Sequence, residues 1–172
     1  MTLLEIATVI VVIAILITMI VPVVRGVLGK AERANCATNL KNLYVGGASY
    51  LQDRGEWPQI PAKDIRSPGY ALMWIRAFEP YGFGRINWLC PSVQRQLKNP
   101  DYKQDKNARI DYLATPFGPN PILPHKWPTQ PWFVERGDVH GDGQLVIFAN
   151  GQVKSLTEII RDRTPQRGDS FP

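Results

Sequence analysis

The first feature of the sequence is a long apolar stretch near its start. No charged residue occurs from Ile6 to Val24, and Val, Ile, Leu and Ala fill most of those nineteen positions. As an α-helix this stretch would be about 28 Å long, close to the roughly 30 Å hydrocarbon thickness of a bilayer. A lone strand in lipid would leave its backbone groups without partners, so helix is favoured. We predict an apolar helix half over residues 1–24, placed in a membrane or in the core of a filament.

Helical periodicity continues after Pro22, which removes one backbone hydrogen bond and predicts a bend or a locally melted turn around Ile20–Gly29. Small and apolar residues recur at spacings of three and four from Ala31 to Leu51, with polar residues between them. This pattern indicates an amphipathic helix half over residues 25–54 that covers a sheet, with Gly55 as its C-cap.

Residues 55–172 are predicted to form a globular head with an antiparallel sheet of about four strands. Arg109–Thr115 alternates, Trp132–Glu135 is counted as a further strand, and two apolar runs flank Asn150-Gly151, the sequence preferred in a type I′ hairpin turn. The predicted fold class is therefore α+β, with one long N-terminal helix packed on a C-terminal antiparallel sheet.

Gly46 and Gly47 in the long helix would let a strand or another helix come close. The other segments are predicted as short helices over 69–78 and 156–161, an extended piece over 86–91, a proline-rich loop over 116–131, and a tail over 164–172.

Composition excludes some function classes. The net charge of +5 is modest and its basic residues are scattered, so no nucleic-acid binding is expected. Only two histidines occur, and there is no Gly-x-Ser-x-Gly, HExxH or phosphate-loop motif, so no enzyme is expected. The two cysteines, Cys36 and Cys90, have no metal-ligand spacing. They are candidates for a disulfide if the head is exported, and otherwise would be two buried thiols.

A turn near the C-terminus is the one candidate for a metal site. Asp138, His140 and Asp142 alternate ahead of Gly143, as at the start of a calcium loop, but Ala149 stands where the loop would need a glutamate. The alternative is a glycine-rich turn in which these side chains cap backbone amides. We expect no cofactor other than this candidate Ca²⁺.

Glu5 is the remaining feature that needs a reason. A carboxylate in a membrane helix costs about 2.5–3.5 kcal/mol near the centre, so a plain membrane anchor has no reason to keep one. An α-amino group at residue 1, its own or a neighbour's, could neutralise it one helical turn away. Positive charge usually flanks the cytoplasmic side of a membrane helix, and its absence before Arg25 suggests that a basic leader has been removed.

These residues resemble a known family. Thr-Leu-Leu-Glu-Ile over residues 2–6, followed by the apolar run, looks like the mature N-terminus of type IV pilins and type II secretion pseudopilins, and Pro22 falls where that family commonly has a helix-bending proline. His140, nine residues and Asn150-Gly151 resemble the His-x9-Asp-Gly signature of a group of bacterial pilin-like proteins, with Asn150 in place of Asp. Met1 departs from the usual Phe.

The resemblance implies a structural subunit of an extracellular type IV pilus-like filament at the bacterial cell surface. It implies residence in the inner membrane before assembly, removal of a leader and N-methylation by a prepilin peptidase, and export by an assembly machinery. It also implies that Glu5 pairs with the terminal amine of a neighbouring, identical subunit, so that Met1, Glu5 and Pro22 are the assembly residues. The alternatives are the major pseudopilin of a type II secretion system and a monomeric membrane-anchored surface protein.

Overall fold

One helix dominates the molecule. The computed structural model describes residues 3–104 and 108–163. Helix α1 spans Leu3–Arg54, and its 52 residues make it about 78 Å long. The predicted melted turn around Ile20–Gly29 is not present, because the backbone is helical through this whole stretch. Met1, the side chain of Pro22 and the predicted tail over 164–172 lie outside the described residues.

Helix α1 ends at the glycine expected to cap it. Gly55 has a φ of 71°, in the left-handed region that glycine adopts without strain, and its amide donates to the carbonyl of Leu51 over 2.9 Å. The chain then turns into the head through a short 3₁₀ turn at Ala62–Asp64.

The head is built on a four-stranded antiparallel sheet, so the α+β fold and the strand number predicted from the sequence are confirmed. The strands run in the order β1-β2-β3-β4. Their bounds are Tyr112–Ala114 (β1), Pro131–Glu135 (β2), Leu145–Phe148 (β3) and Val153–Ser155 (β4). Leu113 lies opposite Val134, Val134 opposite Val146, and Ile147 opposite Val153, with an irregularity in β2 between Pro131 and Phe133.

The hairpin between β3 and β4 is present, but its turn differs from the predicted type. A type I′ turn needs positive φ at both central residues. Gly151 has a φ of 76°, whereas Asn150 does not have a positive φ. The amide of Gly151 donates to the carbonyl of Phe148 over 2.8 Å, which makes a three-residue loop with the left-handed glycine last. Asn150 instead uses its side chain, since Oδ1 accepts from the amide of Gln152 over 3.0 Å.

The described part of the head also contains three short α-helices. Helix α2 spans Pro68–Phe78 and helix α4 spans Leu156–Arg163, so both predicted helices are confirmed. Helix α3, Pro91–Gln96, was not predicted. The extended piece predicted over 86–91 is wrong in its first half, because Arg85–Trp88 forms a 3₁₀ turn.

The core lies between the C-terminal half of α1, the sheet and α2. Leu40 and Leu43 of α1 are fully buried there, together with four of the five tryptophans: Trp57, Trp74, Trp88 and Trp132. The rings of Trp74 and Trp88 have centroids 5.8 Å apart, and Phe78 and Trp88 are 5.3 Å apart. This aromatic core fixes α2 and the 3₁₀ turn against α1.

Close approach to α1 takes place where the sequence places two glycines. A Cβ on Gly46 would lie 2.9 Å from the rings of Phe78 and Phe83, and one on Gly47 would lie 3.1 Å from Trp57. These positions therefore bring aromatic side chains onto the helix backbone.

Within the described residues, no helix combines the length and the apolar character that crossing a membrane requires.

Candidate functional site

The N-terminal part of α1 carries an apolar surface that the other described residues do not cover. We call residues 6–20 the apolar segment. Its large apolar side chains are about half exposed, from 49% at Ile6 to 67% at Met19. Val9, Ile10, Val11, Val12 and Ile13 are five consecutive exposed residues. Since 3.6 residues make one turn, the segment is apolar on all its sides.

Glu5 stands at the N-terminal end of this segment. It is exposed in the first turn of α1, where a carboxylate favours the positive end of the helix dipole. Its carbonyl accepts a hydrogen bond from Thr8 Oγ1 over 2.9 Å. Because Met1 is outside the described residues, the predicted contact between Glu5 and a terminal amine stays a prediction.

A second candidate site is buried where α1 meets the head. Cys36 of α1 and Cys90, just before α3, form a disulfide with a Cα–Cα distance of 5.4 Å. Both residues are fully buried. The bond therefore ties the long helix to the segment that carries α3.

An acid and a histidine complete this second site, and we call Cys36, Cys90, Glu135 and His140 the disulfide cluster. Glu135 ends β2, His140 lies in the loop before β3, and their side chains are 0% and 3% exposed. His140 Nε2 lies 3.1 Å from Glu135 Oε1 and 3.8 Å from Cys90 Sγ. Glu135 Oε2 accepts from the amide of Leu145 over 3.3 Å.

Burial raises the pKa of the Glu135 carboxyl above its ordinary value. The neighbouring His140 and the amide of Leu145 oppose this shift, while Asp111 adds to it. Burial therefore favours the uncharged form of the Glu135 carboxyl, against the effect of its two hydrogen-bonding partners.

Polar side chains connect His140 to the surface. The Nδ1 atom of His140 lies 3.5 Å from Ser92 Oγ, and Ser92 donates to Glu32 Oε2 over 2.6 Å. Glu32 is also paired with Arg95 at 3.0 Å. The chain of contacts thus runs from the buried cluster to the exposed side of α1.

The residue types of a hydrolytic triad are present in Ser92, His140 and Glu135, but the hydrogen bond and the burial of the serine differ from those of a triad. A nucleophilic serine must give its proton to the histidine and must be reachable by substrate. The Ser92 hydroxyl donates its hydrogen bond to Glu32 instead of to the histidine, and Ser92 is only 1% exposed. The geometry does not support nucleophilic catalysis at this serine.

The three candidate calcium ligands do not converge. Asp138 Oδ1 accepts from the amide of Gly141 over 2.8 Å, as the capping alternative predicts. Asp142 forms an ion pair with Arg33 of α1, and His140 turns inward to the disulfide cluster. These contacts spread the side chains in three directions, so the calcium prediction gains no geometric support.

The hairpin turn residues dock on α1. Gly151 lies beside the ring of Tyr44, since a Cβ there would be 3.6 Å from it, at ordinary contact distance. Tyr44 donates from its hydroxyl to the carbonyl of Ala149 over 3.0 Å. The hairpin turn therefore meets the helix through Ala149 and Gly151, whereas Asn150 is exposed.

Sequence reasoning missed two buried acids. Asp111 is fully buried and accepts from the Cys90 amide, from Gln94 Nε2 and from Arg109 Nε, at 2.7–3.0 Å. The sequence pattern predicts Glu135 only as the end of a strand. A signal was present in the sequence, namely an acid inside or next to an otherwise apolar run, as in Trp-Phe-Val-Glu. An acid in that position indicates a buried carboxylate, and a buried carboxylate needs hydrogen-bonding partners.

Comparison with known proteins gives no relative: no protein-family model, no curated protein and no solved structure matches this chain.

Proposed function

We propose that this chain is the structural subunit of an extracellular type IV pilus-like filament, built on a pilin-like fold and assembled through the apolar segment of α1. The observation that carries the proposal is the exposure of that segment: apolar side chains about half exposed on every side of a helix. A helix that is apolar all round is stable in water only when it is buried.

The all-round character favours many neighbours over one. A single partner helix would cover one stripe, as in a two-stranded coiled coil, and leave the opposite side in water. Several copies packed around a common axis would cover every side. A head-to-tail helical lattice does this for each subunit and extends without closing. The heads, which have their own core, would then lie on the outside.

Glu5 supplies specificity in this proposal. Inside such a bundle its carboxylate would be costly unless a cation neutralised it, and the terminal amine of a neighbouring subunit can do so. A copy placed out of register would leave a buried, unpaired charge. Before assembly, the subunits are proposed to lie in the inner membrane through the uncharged run over 6–24, after a prepilin peptidase has processed them.

The test is electron microscopy of surface material from cells that make the full chain, comparing the natural protein with two matched variants. Ile10→Lys places a charge on the apolar segment, whereas Ile122→Lys places the same charge at an exposed isoleucine of the head (61% and 69% exposed). We expect long fibres from the natural chain and from Ile122→Lys, and none from Ile10→Lys.

Other outcomes would replace the proposal. Short fibres that form only on overexpression would make the chain a pseudopilin. Dispersed single molecules in detergent, with no fibres from any of the three chains, would favour the monomeric anchored protein. Normal fibres from Ile10→Lys would show that the apolar segment is not the assembly surface.

A further inference from the structure

The disulfide cluster holds a set of ligand types that matches a metal site. We propose that Cys36, Cys90, Glu135 and His140 form a tetrahedral Zn²⁺ site whenever the disulfide is open. Their four ligand atoms lie within 4.8 Å of one another and come from α1, the segment before α3, β2 and the loop after β2. Zinc favours this mixture of thiolate, imidazole and carboxylate ligands in tetrahedral geometry.

Two of the distances are near those of such a site. Zinc bonds of about 2.0–2.3 Å place neighbouring ligand atoms of a tetrahedron about 3.3–3.8 Å apart. The distance from His140 Nε2 to Cys90 Sγ is 3.8 Å, and that to Glu135 Oε1 is 3.1 Å. The two cysteines have Cα atoms 5.4 Å apart, so rotation of their side chains can separate the sulfur atoms while the backbone stays in place.

The surroundings hold the ligand atoms in the orientation that a metal requires. Ser92 Oγ lies on the Nδ1 side of His140, so that Nδ1–H can donate to it and leave the Nε2 lone pair for the ion. Ser92 in turn is held by Glu32. The amide of Leu145 binds Oε2 of Glu135 and leaves Oε1 toward the centre of the cluster. Partners of this kind are typical of zinc ligands.

The disulfide and the zinc site exclude each other because both use the two sulfur atoms. A dithiol reductant would break the S–S bond, become a disulfide itself, and leave two protein thiols. Binding of one Zn²⁺ then releases the two thiol protons and forms two Zn–S bonds. Oxidation of the thiolates by a disulfide oxidant would re-form the S–S bond and expel the ion. A surface groove lined by residues that include Lys30, Arg33, Ser92 and His140 lies beside the cluster.

The oxidation state of the two cysteines would therefore determine which cross-link holds α1 to the head, the disulfide or the zinc site. The disulfide joins α1 to the segment before α3. The zinc site would join the same two segments and add β2 and the loop after it. A chain whose cysteines are still reduced would therefore have its long helix fixed to the head by metal, in place of the disulfide.

The test uses the full chain in detergent micelles, reduced with a water-soluble phosphine without oxygen, and titrated with Co²⁺ alone. Tetrahedral cobalt bound to thiolate gives a charge-transfer band and intense visible bands. We expect saturation at one cobalt per chain, displacement by Zn²⁺, and neither band in the oxidised chain. Bands of equal strength before and after reduction, or their absence in the reduced chain, would overturn the proposal.

Variants separate the cluster from adventitious binding. His140→Ala should weaken cobalt binding at least about tenfold, and Ser92→Ala about tenfold or more through loss of orientation. His125→Ala removes the only other histidine, which packs on Trp132 outside the cluster, and should leave binding unchanged. An unchanged affinity in His140→Ala would sink the site.

A measurement on the natural chain covers the case in which a variant does not fold. X-ray absorption of the reduced, zinc-loaded protein should show two sulfur atoms at about 2.3 Å and two nitrogen or oxygen atoms at about 2.0–2.2 Å. A shell of nitrogen and oxygen alone would contradict the proposal, as would reduced protein that loses its fold and is not restored by zinc.

Discussion

At the scale of single residues, Glu5 decides whether subunits can pack in register. We expect Glu5→Ala to abolish filament assembly or slow it severely, because a neighbour's terminal amine would be buried without its carboxylate, a loss of roughly 3–5 kcal/mol for a broken buried pair. The measurement is the amount of fibre sheared from cells, compared at equal subunit expression.

The control for this prediction is Glu79→Ala, which removes an exposed glutamate of the head. It should assemble normally. The circular dichroism and thermal unfolding of both variants should match those of the natural chain, since Glu5 lies outside the core. A normal yield of fibres from Glu5→Ala would contradict the pairing.

Glu135 carries a pH dependence whose sign follows from its environment. Burial raises the pKa of the folded carboxyl above the ordinary 4.5, so the folded state holds this proton more tightly than the unfolded state. The stability it contributes is complete below about pH 4.5 and is lost as the pH rises through the raised pKa. We therefore expect the natural chain to lose stability relative to Glu135→Gln as the pH increases through this window.

The measurement is the midpoint of urea unfolding of the oxidised chain between pH 4 and pH 8, for the natural protein and Glu135→Gln. Only the difference between the two chains tests the point, because Glu158 and Asp162 have lowered pKa values and act with the opposite sign. A difference that is constant with pH would show that Glu135 does not titrate as its burial requires.

At the scale of elements, the contact between α1 and α2 depends on one missing side chain. Gly46→Ala would place a Cβ 2.9 Å from Phe78 and Phe83. Alanine gains up to about 1 kcal/mol of helix propensity, but overpacking costs about 1–3 kcal/mol. We expect a net loss of stability, measured by urea unfolding of the full chain in detergent.

Gly29→Ala is the matched control for this prediction. It lies in the same helix, and nothing would approach its Cβ within 4 Å. It should be neutral or slightly stabilising, by helix propensity alone. If both variants changed stability equally, the close approach at Gly46 would not be what selects glycine there.

Some elements of the fold could be predicted from the sequence because they leave a local pattern. Helices α1 and α2 leave a local pattern because the period of 3.6 residues repeats several times, and strands β3 and β4 are marked by the Asn-Gly turn between them. Helix α4 even carries a capping box, in which the Ser155 amide donates to Glu158 and the Glu158 amide donates to Ser155 Oγ.

Other features depend on tertiary contacts that leave no local pattern. The 3₁₀ turn over Arg85–Trp88 and helix α3 are too short to show a period, and their position is set by burial of Trp88 and by hydrogen bonds to Asp111. The Asn-Gly pair predicts the position of the hairpin turn but not its type, since a three-residue loop that ends in a left-handed glycine also accommodates this pair. The disulfide cluster joins residues up to about a hundred positions apart, a distance over which sequence spacing has no predictive value.

At the scale of the whole molecule, stability and assembly reside in different parts of the chain. The buried residues of the core begin at Cys36 and continue through the head, whereas the apolar segment contributes exposed side chains to the described structure. The disulfide closes a loop with a sequence separation of 54, which by the chain-entropy estimate stabilises the fold by about 4 kcal/mol. The disulfide and the hydrophobic core therefore both belong to residues from Cys36 onward.

This separation predicts the behaviour of a chain that begins at Lys30. Because it keeps Arg33, Cys36 and the core positions, it should fold without detergent, unfold in one cooperative transition, and remain monomeric in size-exclusion chromatography. It should form no fibres and should not enter those of the full chain, since it lacks both Glu5 and the apolar surface. Fibres from the shortened chain would place the assembly surface on the head, and a shortened chain with no cooperative unfolding would show that residues before Lys30 are needed for the core.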